Sequence, residues 1–244
     1  MDREDITESA KREFSTQVNK QEGETSSRII ENPKYLTEDQ KDSWNKNGFI
    51  LLKNFCSKEI CSEMNSSVLS IIDSMVGSEE AFSHAYANEG YIGIREMKPN
   101  PEAKTIHDEM SKIFRLHGKG VFNDFINNKR LLDLVEDILG INIDCFLSQY
   151  IFKNPGAWGQ PWHQDSSYFP FDRYPQVGAW VATSPATIEN GCLVILPGSH
   201  KEHLHEHVPD DREGSNYGYT EIKDQDFTNK TPVTLETGDL LLFH

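Results

Sequence analysis

The sequence is short of positive charge: 24 Lys and Arg stand against 39 Asp and Glu in 244 residues, a formal net charge of −15. Proteins that bind polyanions carry a basic patch. No clustering of Lys and Arg forms one here, so nucleic acids and anionic membrane surfaces are excluded as partners and a small molecule is expected. Long apolar runs are lacking as well. None approaches the ~20 residues of a membrane span, and "MDREDITESAKREF" has no apolar core of a secretory leader, so the expectation is a soluble cytoplasmic protein. Cysteine is sparse. Cys56, Cys61, Cys145 and Cys192 form no CxxC pair and no zinc-finger spacing, which argues against structural zinc and for free, mostly buried thiols, Cys56 and Cys61 in "CSKEIC" included.

What is present suffices for a core: 36% hydrophobic residues in a chain of this length make one sizeable domain the expectation. Residues 1–32 hold too few large apolar side chains to offset the entropy of ordering. They are expected to form a mobile or loosely docked arm, with the domain running from Pro33 to His244. In "LTEDQKDSWNKNGF", Thr37 followed three residues later by Gln40 has the form of a capping box, and Asn47-Gly48 that of a helix stop; "FILL" follows as a strand. Ser57 caps a second expected helix, in which Ile60, Met64, Val68, Ile71, Ile72 and Met75 recur at three- and four-residue spacing. Residues 77–101 are irregular, as a lid or substrate loop would be. "EMSKIFRLHGKGVFNDFINNKRLLDLVEDILG" is expected to be helical, with Leu131, Leu134, Val135, Ile138 and Leu139 on one face and Gly140 at the stop. Thereafter the texture changes to short strands bounded by Pro, Gly and Asn: "CFLSQYIF", "VGAWVATS", "GCLVILPG", "TPVTLETG" and "DLLLFH". Helices first and strands later predict an α+β protein whose second half is a barrel or double-sheet jelly roll.

The stretch that carries chemistry is "QPWHQDSSYF", residues 160–169. Residues i and i+2 of an extended strand project to the same face. His163 and Asp165 would then offer an imidazole nitrogen and a carboxylate oxygen side by side, with Gln164 turned away. That is two-thirds of a two-histidine, one-carboxylate metal site, which leaves open positions on the ion. A bare His-X-Asp also recurs by chance, and a surface histidine and aspartate is the plain alternative. A second group, His200, His203, His205 and His207 in "SHKEHLHEH", lies in a polar, acidic loop. It reads as a solvated segment that captures nickel or zinc adventitiously rather than as a second metal site, with His200 shaping a turn. Glu189-Asn190-Gly191 reads as a turn in which Gly191 is free to take positive φ.

"PWHQDSSYFPF", followed in order by "VGAWVATSPATIENGCLVILPGSHKEHL" and "ETGDLLLFH", resembles the phytanoyl-CoA dioxygenase family of iron(II)/2-oxoglutarate oxygenases from about Thr37 to His244. The resemblance implies a double-stranded β-helix (jelly roll), Fe(2+) held by His163 and Asp165, 2-oxoglutarate as co-substrate and dioxygen as oxidant. It also implies a 2-oxoglutarate site lined by Lys112 in the preceding helical region, Gln149 on the strand before the His-X-Asp, and Trp180 after it. Gln149 stands where relatives carry methionine. Lys112 could instead be a solvated lysine on a polar helix face, and Trp180 could be core packing. In such chemistry the protein positions rather than reacts. Halogenating relatives lack the carboxylate ligand, so Asp165 implies hydroxylation, of a small organic substrate such as a lipid, CoA ester or secondary metabolite.

The triad needs a second histidine downstream of Asp165, and His244 is the last residue of the sequence. The resemblance places the ligand histidine a few residues beyond the "GDLLLFH" strand, with an arginine after it for the distal carboxylate of 2-oxoglutarate. The expectation is therefore a C-terminally incomplete dioxygenase domain, with His244 as a poorer substitute ligand the alternative. Two other functions compete: a non-catalytic, truncated jelly-roll protein that binds a partner or metabolite in the same cavity, and a zinc hydrolase using His163, Asp165 and a loop histidine.

Overall fold

In the computed structural model of the chain, which describes residues 30–76, 85–88, 90–98, 100–169, 175–216 and 218–244, helix α1 (Glu38–Asn47) begins at the expected capping box. Thr37 Oγ1 accepts the Gln40 N–H at 3.2 Å and Gln40 Oε1 accepts the Thr37 N–H at 2.9 Å, while Gly48 at φ 83° ends the helix. Most of the expected arm lies outside the described residues. Ile30 is buried, and its backbone N–H and C=O both bond the Asn45 carboxamide, at 2.9 and 2.8 Å. Strand β1 (Phe49–Leu52) follows, then α2 (Lys58–Met75) with Ser57 as its cap. The buried row of α2 is Cys61, Met64, Val68, Ile72 and Met75: the expected Met64, Val68, Ile72 and Met75 face inward, and the difference is in the first turn, where Ile60 is 40% exposed and Cys61 fully buried.

Two further expectations fail in the middle of the chain. Residues 77–84, 89 and 99 of the irregular stretch lie outside the described residues, but much of the remainder is a hairpin of β2 (Ala85–Asn88) and β3 (Tyr91–Arg95) rather than a loop. After a single helical turn, α3 (Ile106–Glu109), the expected continuous helix is replaced by strand β4 (Met110–Phe114). Lys112 therefore stands on a strand. β4 pairs with β3 on one edge and β5 (Gln149–Ile151) on the other, and two ladders outweigh the modest helix preference of five residues. Ser111 and Ile113 are buried and Lys112 and Phe114 only half so, the period-2 alternation of a strand. Arg115, at φ 68°, turns the chain out of the sheet. Helix resumes in α4 (Gly120–Ile126) and α5 (Lys129–Leu139), the latter capped by Asn128 and stopped at Gly140, φ 93°.

The remaining strands are β6 (Gly178–Val181), β7 (Leu193–Ile195), β8 (Val208–Pro209), β9 (Thr220–Glu221), β10 (Thr231–Val233) and β11 (Leu240–Phe243). β11 lies between β1 and β6, antiparallel to both, and β10 pairs with β7. Leu240, Leu241 and Leu242 are all fully buried because this central strand is covered on both faces. Leu240 and Leu242 pack with Trp44 of α1 and Leu131, Leu134, Val135 and Ile138 of α5. Leu241 faces the other way, into a cluster with Ala182, Val233 and Leu235 against which Trp180 packs. A third cluster joins Val68, Ile72 and Met75 of α2 to Met110 and Ile113 of β4. The architecture is the expected α+β jelly roll. The four cysteines are free; Cys56 and Cys61 are buried, Cys192 half-buried and Cys145 exposed.

Candidate metal and co-substrate site

The His-X-Asp is not on a paired strand. Gln164 is extended (φ −110°, ψ 130°), and Asp165 opens the single 3-10 turn Asp165–Ser167. One extended residue is enough to put both neighbours on one side: His163 Nε2 and Asp165 Oδ1 are 3.3 Å apart. Two ligands ~2.1 Å from one ion and at right angles to each other stand about 3 Å apart, so the spacing is that of adjacent ligands. His163 Nδ1 lies 2.7 Å from the Pro161 carbonyl oxygen, which can only accept. In the neutral ring the proton is thus on Nδ1, and Nε2 presents its lone pair beside the carboxylate, the tautomer a metal ligand requires.

With few ladder bonds of its own, this segment is held by neighbours. The Gln164 side chain is turned away as expected, onto the histidine loop: its Nε2–H donates to His203 O at 3.0 Å, and its Oε1 accepts the His205 N–H at 2.8 Å. His207 completes the clamp. Its Nδ1–H donates to His205 O at 2.8 Å, leaving Nε2 to accept the Gln164 backbone N–H at 2.9 Å, between the two candidate ligands. The Ile222 N–H donates to Trp162 O at 2.8 Å, and Arg212 Nη2 donates to Gly159 O at 2.9 Å. The expectation of a solvated histidine segment holds for His203, which is exposed, and fails for His205 and His207, which are drawn into these contacts. His205 is nearly enclosed between Glu202 (3.0 Å) and Asp224 (3.5 Å), and His200 is buried against Gly48 at the end of α1. Burial, then the nearby His244 and Lys201, push the His200 pKa down to about 4. Beyond the histidines themselves no local pattern announces the clamp, because their partner lies some forty residues upstream.

Lys112 is half-buried on β4, on the face it shares with Phe114, Gln149 and Ile151. Burial lowers its pKa to about 8, with the Asp165 and Glu96 carboxylates opposing the shift. Its Nζ donates to Gln160 Oε1 at 2.9 Å and lies 4.8 Å from the Tyr219 ring centroid. Beside it Asn216 Nδ2 donates to Glu96 Oε2 at 2.8 Å and Ser111 Oγ at 3.1 Å, a buried polar wall that no motif in the sequence marks. The structure thus brings Lys112 into the electrostatic reach of Asp165. Gln149 is exposed on the same sheet face, and Trp180 packs into the cluster around Leu241. His244 is packed elsewhere, with ring centroids 6.3 Å from Trp44 and 6.1 Å from His200. Among the described residues, the group of three acidic, histidine or cysteine donors close enough to share an ion is Asp210, Asp211 and Glu221; no third such donor joins His163 and Asp165.

This arrangement of helices and antiparallel sheets defines a fold class with solved representatives. EvdO2 from Micromonospora carbonacea var. aurantiaca, complexed with 2-oxoglutarate, matches at a TM-score of 0.60 and 20% identity over 88% of this chain and 83% of that one. EctD from S. alaskensis, with 2-oxoglutarate and 5-hydroxyectoine, matches at a TM-score of 0.60 and 17% identity over 90% and 71%. These likenesses establish the shared fold. The profile of the phytanoyl-CoA dioxygenase (PhyH) family matches residues 44–244. Phytanoyl-CoA dioxygenase 1 of Oryza sativa subsp. japonica is 24% identical over 237 residues, covering 86% of this chain and 80% of the relative. A probable phytanoyl-CoA dioxygenase of Caenorhabditis elegans is 29% identical over 219 residues, covering 86% and 68%. The chain belongs to the phytanoyl-CoA dioxygenase family, whose dioxygenases depend on iron(II) and 2-oxoglutarate. No helix among the described residues is long and apolar enough to cross a membrane.

Proposed function

We propose that this dioxygenase is a hydroxylase of a small organic substrate, a lipid, CoA ester or secondary metabolite, in which His163 and Asp165 hold iron(II). One observation carries the reading: the 3.3 Å spacing of His163 Nε2 and Asp165 Oδ1, with the imidazole proton committed to Pro161 O. The donor set fits the metal, since one imidazole and one carboxylate are two-thirds of the facial triad used by non-haem iron oxygenases. Iron so held supplies, with 2-oxoglutarate and dioxygen, the oxidising power to break an unactivated C–H bond. The chain's own part is positional. Lys112 presents a desolvated cation toward a carboxylate of 2-oxoglutarate; Gln149, on its sheet face, and Trp180, across from β7 and β10, are the walls of that subsite in this reading. Four unbridged cysteines support a reducing compartment, and the cytoplasm is the location proposed.

Anaerobic titration of the chain with Fe(II) or Co(II), followed by succinate release under air, tests the reading. His163→Ala and Asp165→Ala should each weaken metal binding at least about ten-fold, in line with the loss of a ligand or its support. Unchanged metal binding in both variants would sink the assignment. A second reading, a jelly-roll binding protein without turnover, draws on the lack of a third donor beside His163 and Asp165 among the described residues. Metal-dependent succinate release by the wild-type chain would eliminate it.

A further inference from the structure

Gln160 has no role in the reading above, yet its carboxamide touches three groups of the site. Its Oε1 accepts from Lys112 Nζ at 2.9 Å; its Nε2 lies 3.3 Å from His163 Nε2 and 3.3 Å from the Tyr168 hydroxyl. An ammonium has donors only, so Lys112 can be met only by the oxygen end of the amide. That settles which end of Gln160 faces the imidazole. Tyr168 is pinned in turn, its hydroxyl accepting from Thr220 N–H and Thr220 Oγ1 at 3.0 Å each. Rotating the amide would set donor against donor at a partly desolvated cation. The side-chain N–H of Gln160 is therefore a pre-aimed donor directed at the Nε2 of His163.

Two consequences follow from this orientation. Without metal, the N–H rests on the lone pair that a metal needs. A metal on that lone pair would displace the N–H from it, and the freed donor, still tethered through Lys112 beside His163, calls for an oxygen acceptor. We propose that Gln160, aimed by Lys112, donates its side-chain N–H to the oxo-acid end of 2-oxoglutarate, so that Lys112 supports co-substrate binding through Gln160 as well as by its charge. This inference rests on the assignment of the metal to His163 and Asp165.

The test is anaerobic calorimetric titration of the 244-residue chain, first with Fe(II) and then with 2-oxoglutarate, with circular dichroism to confirm folding. Gln160→Ala should bind the metal no more weakly than wild type, since the N–H resting on the ligand lone pair is gone, and should raise the 2-oxoglutarate Kd about ten-fold, the loss of one hydrogen bond to a charged acceptor. Gln160→Glu keeps an oxygen for Lys112 but replaces the donor by a carboxylate oxygen, and should weaken 2-oxoglutarate further while sparing the fold. Lys112→Met should cost less in the Gln160→Ala background than in wild type, because the two act as one unit. A 2-oxoglutarate Kd within about two-fold of wild type in Gln160→Ala or in Gln160→Glu overturns the proposal while leaving the metal assignment standing. Failure of the wild-type chain to bind metal removes the assignment, and this inference with it.

Discussion

Alanine at His207 isolates what the histidine loop does for the candidate ligands. The substitution removes the acceptor of the Gln164 backbone N–H (2.9 Å) and the donor to His205 O (2.8 Å) while leaving His163 and Asp165 untouched. A net hydrogen bond is worth about 1 kcal/mol, and a partly buried N–H left without a partner costs about 1–3 kcal/mol. The segment should therefore lose about 2 kcal/mol of local stability. At about 1.4 kcal/mol per factor of ten, transmission of that loss to the geometry of the pair weakens metal binding roughly 30-fold. This falls within the roughly 10–100-fold expected when an outer partner of a metal ligand is removed. Anaerobic Co(II) titration reads the affinity and urea unfolding reads the stability. His207→Gln, whose carboxamide oxygen accepts the same N–H, should recover most of both. Gln164→Ala, which removes the other half of the clamp, should be less than additive with His207→Ala. A metal affinity within about two-fold of wild type in His207→Ala, accompanied by the full drop in unfolding free energy, would refute the reasoning: the bond would then hold the loop without setting the pair.

Lys112→Ala should raise the 2-oxoglutarate KM about ten-fold, since it deletes a charged hydrogen-bonding group beside Asp165 and Gln160; an unchanged KM would count against Lys112. The buried His200 has a folded-state pKa near 4 against 6.5 when unfolded, so the folded state binds fewer protons between those values. Its contribution to stability is complete above pH 6.5 and lost as pH falls toward 4, by at most about 3 kcal/mol. Comparing wild type with His200→Gln by urea unfolding at pH 7 and pH 5 should show the difference changing with pH, and a constant difference would contradict a buried neutral imidazole. Gly238, at φ 92°, sits so close to Cys56 that an added Cβ would overlap the Cys56 carbonyl oxygen. Gly238→Ala should cost about 2 kcal/mol or more and lower Tm by roughly 4–8 °C; a Tm within about 1 °C of wild type would mean that this close approach is not real.

Signals that act over a few residues are legible in the sequence alone. Thr37 with Gln40, Ser57, Gly48 and Gly140 punctuate helices because a cap or a positive φ is satisfied by the chain immediately around it. His163 and Asp165 come together for the same reason: a single extended residue, Gln164, turns both toward one side. The order of the family-like segments likewise identifies the jelly roll. Choices between locally similar options are made only by the tertiary structure. Met110–Phe114 is a strand because β3 and β5 offer ladders on both edges, and the inward face of α2 carries Cys61 because of what packs against it. The site's support is of the same non-local kind. Gln160 meets Lys112 from 48 residues away, and His207 meets Gln164 from 43. Such pairings depend on closing long loops, whose cost is met only when the whole core forms, so no short window of sequence contains them.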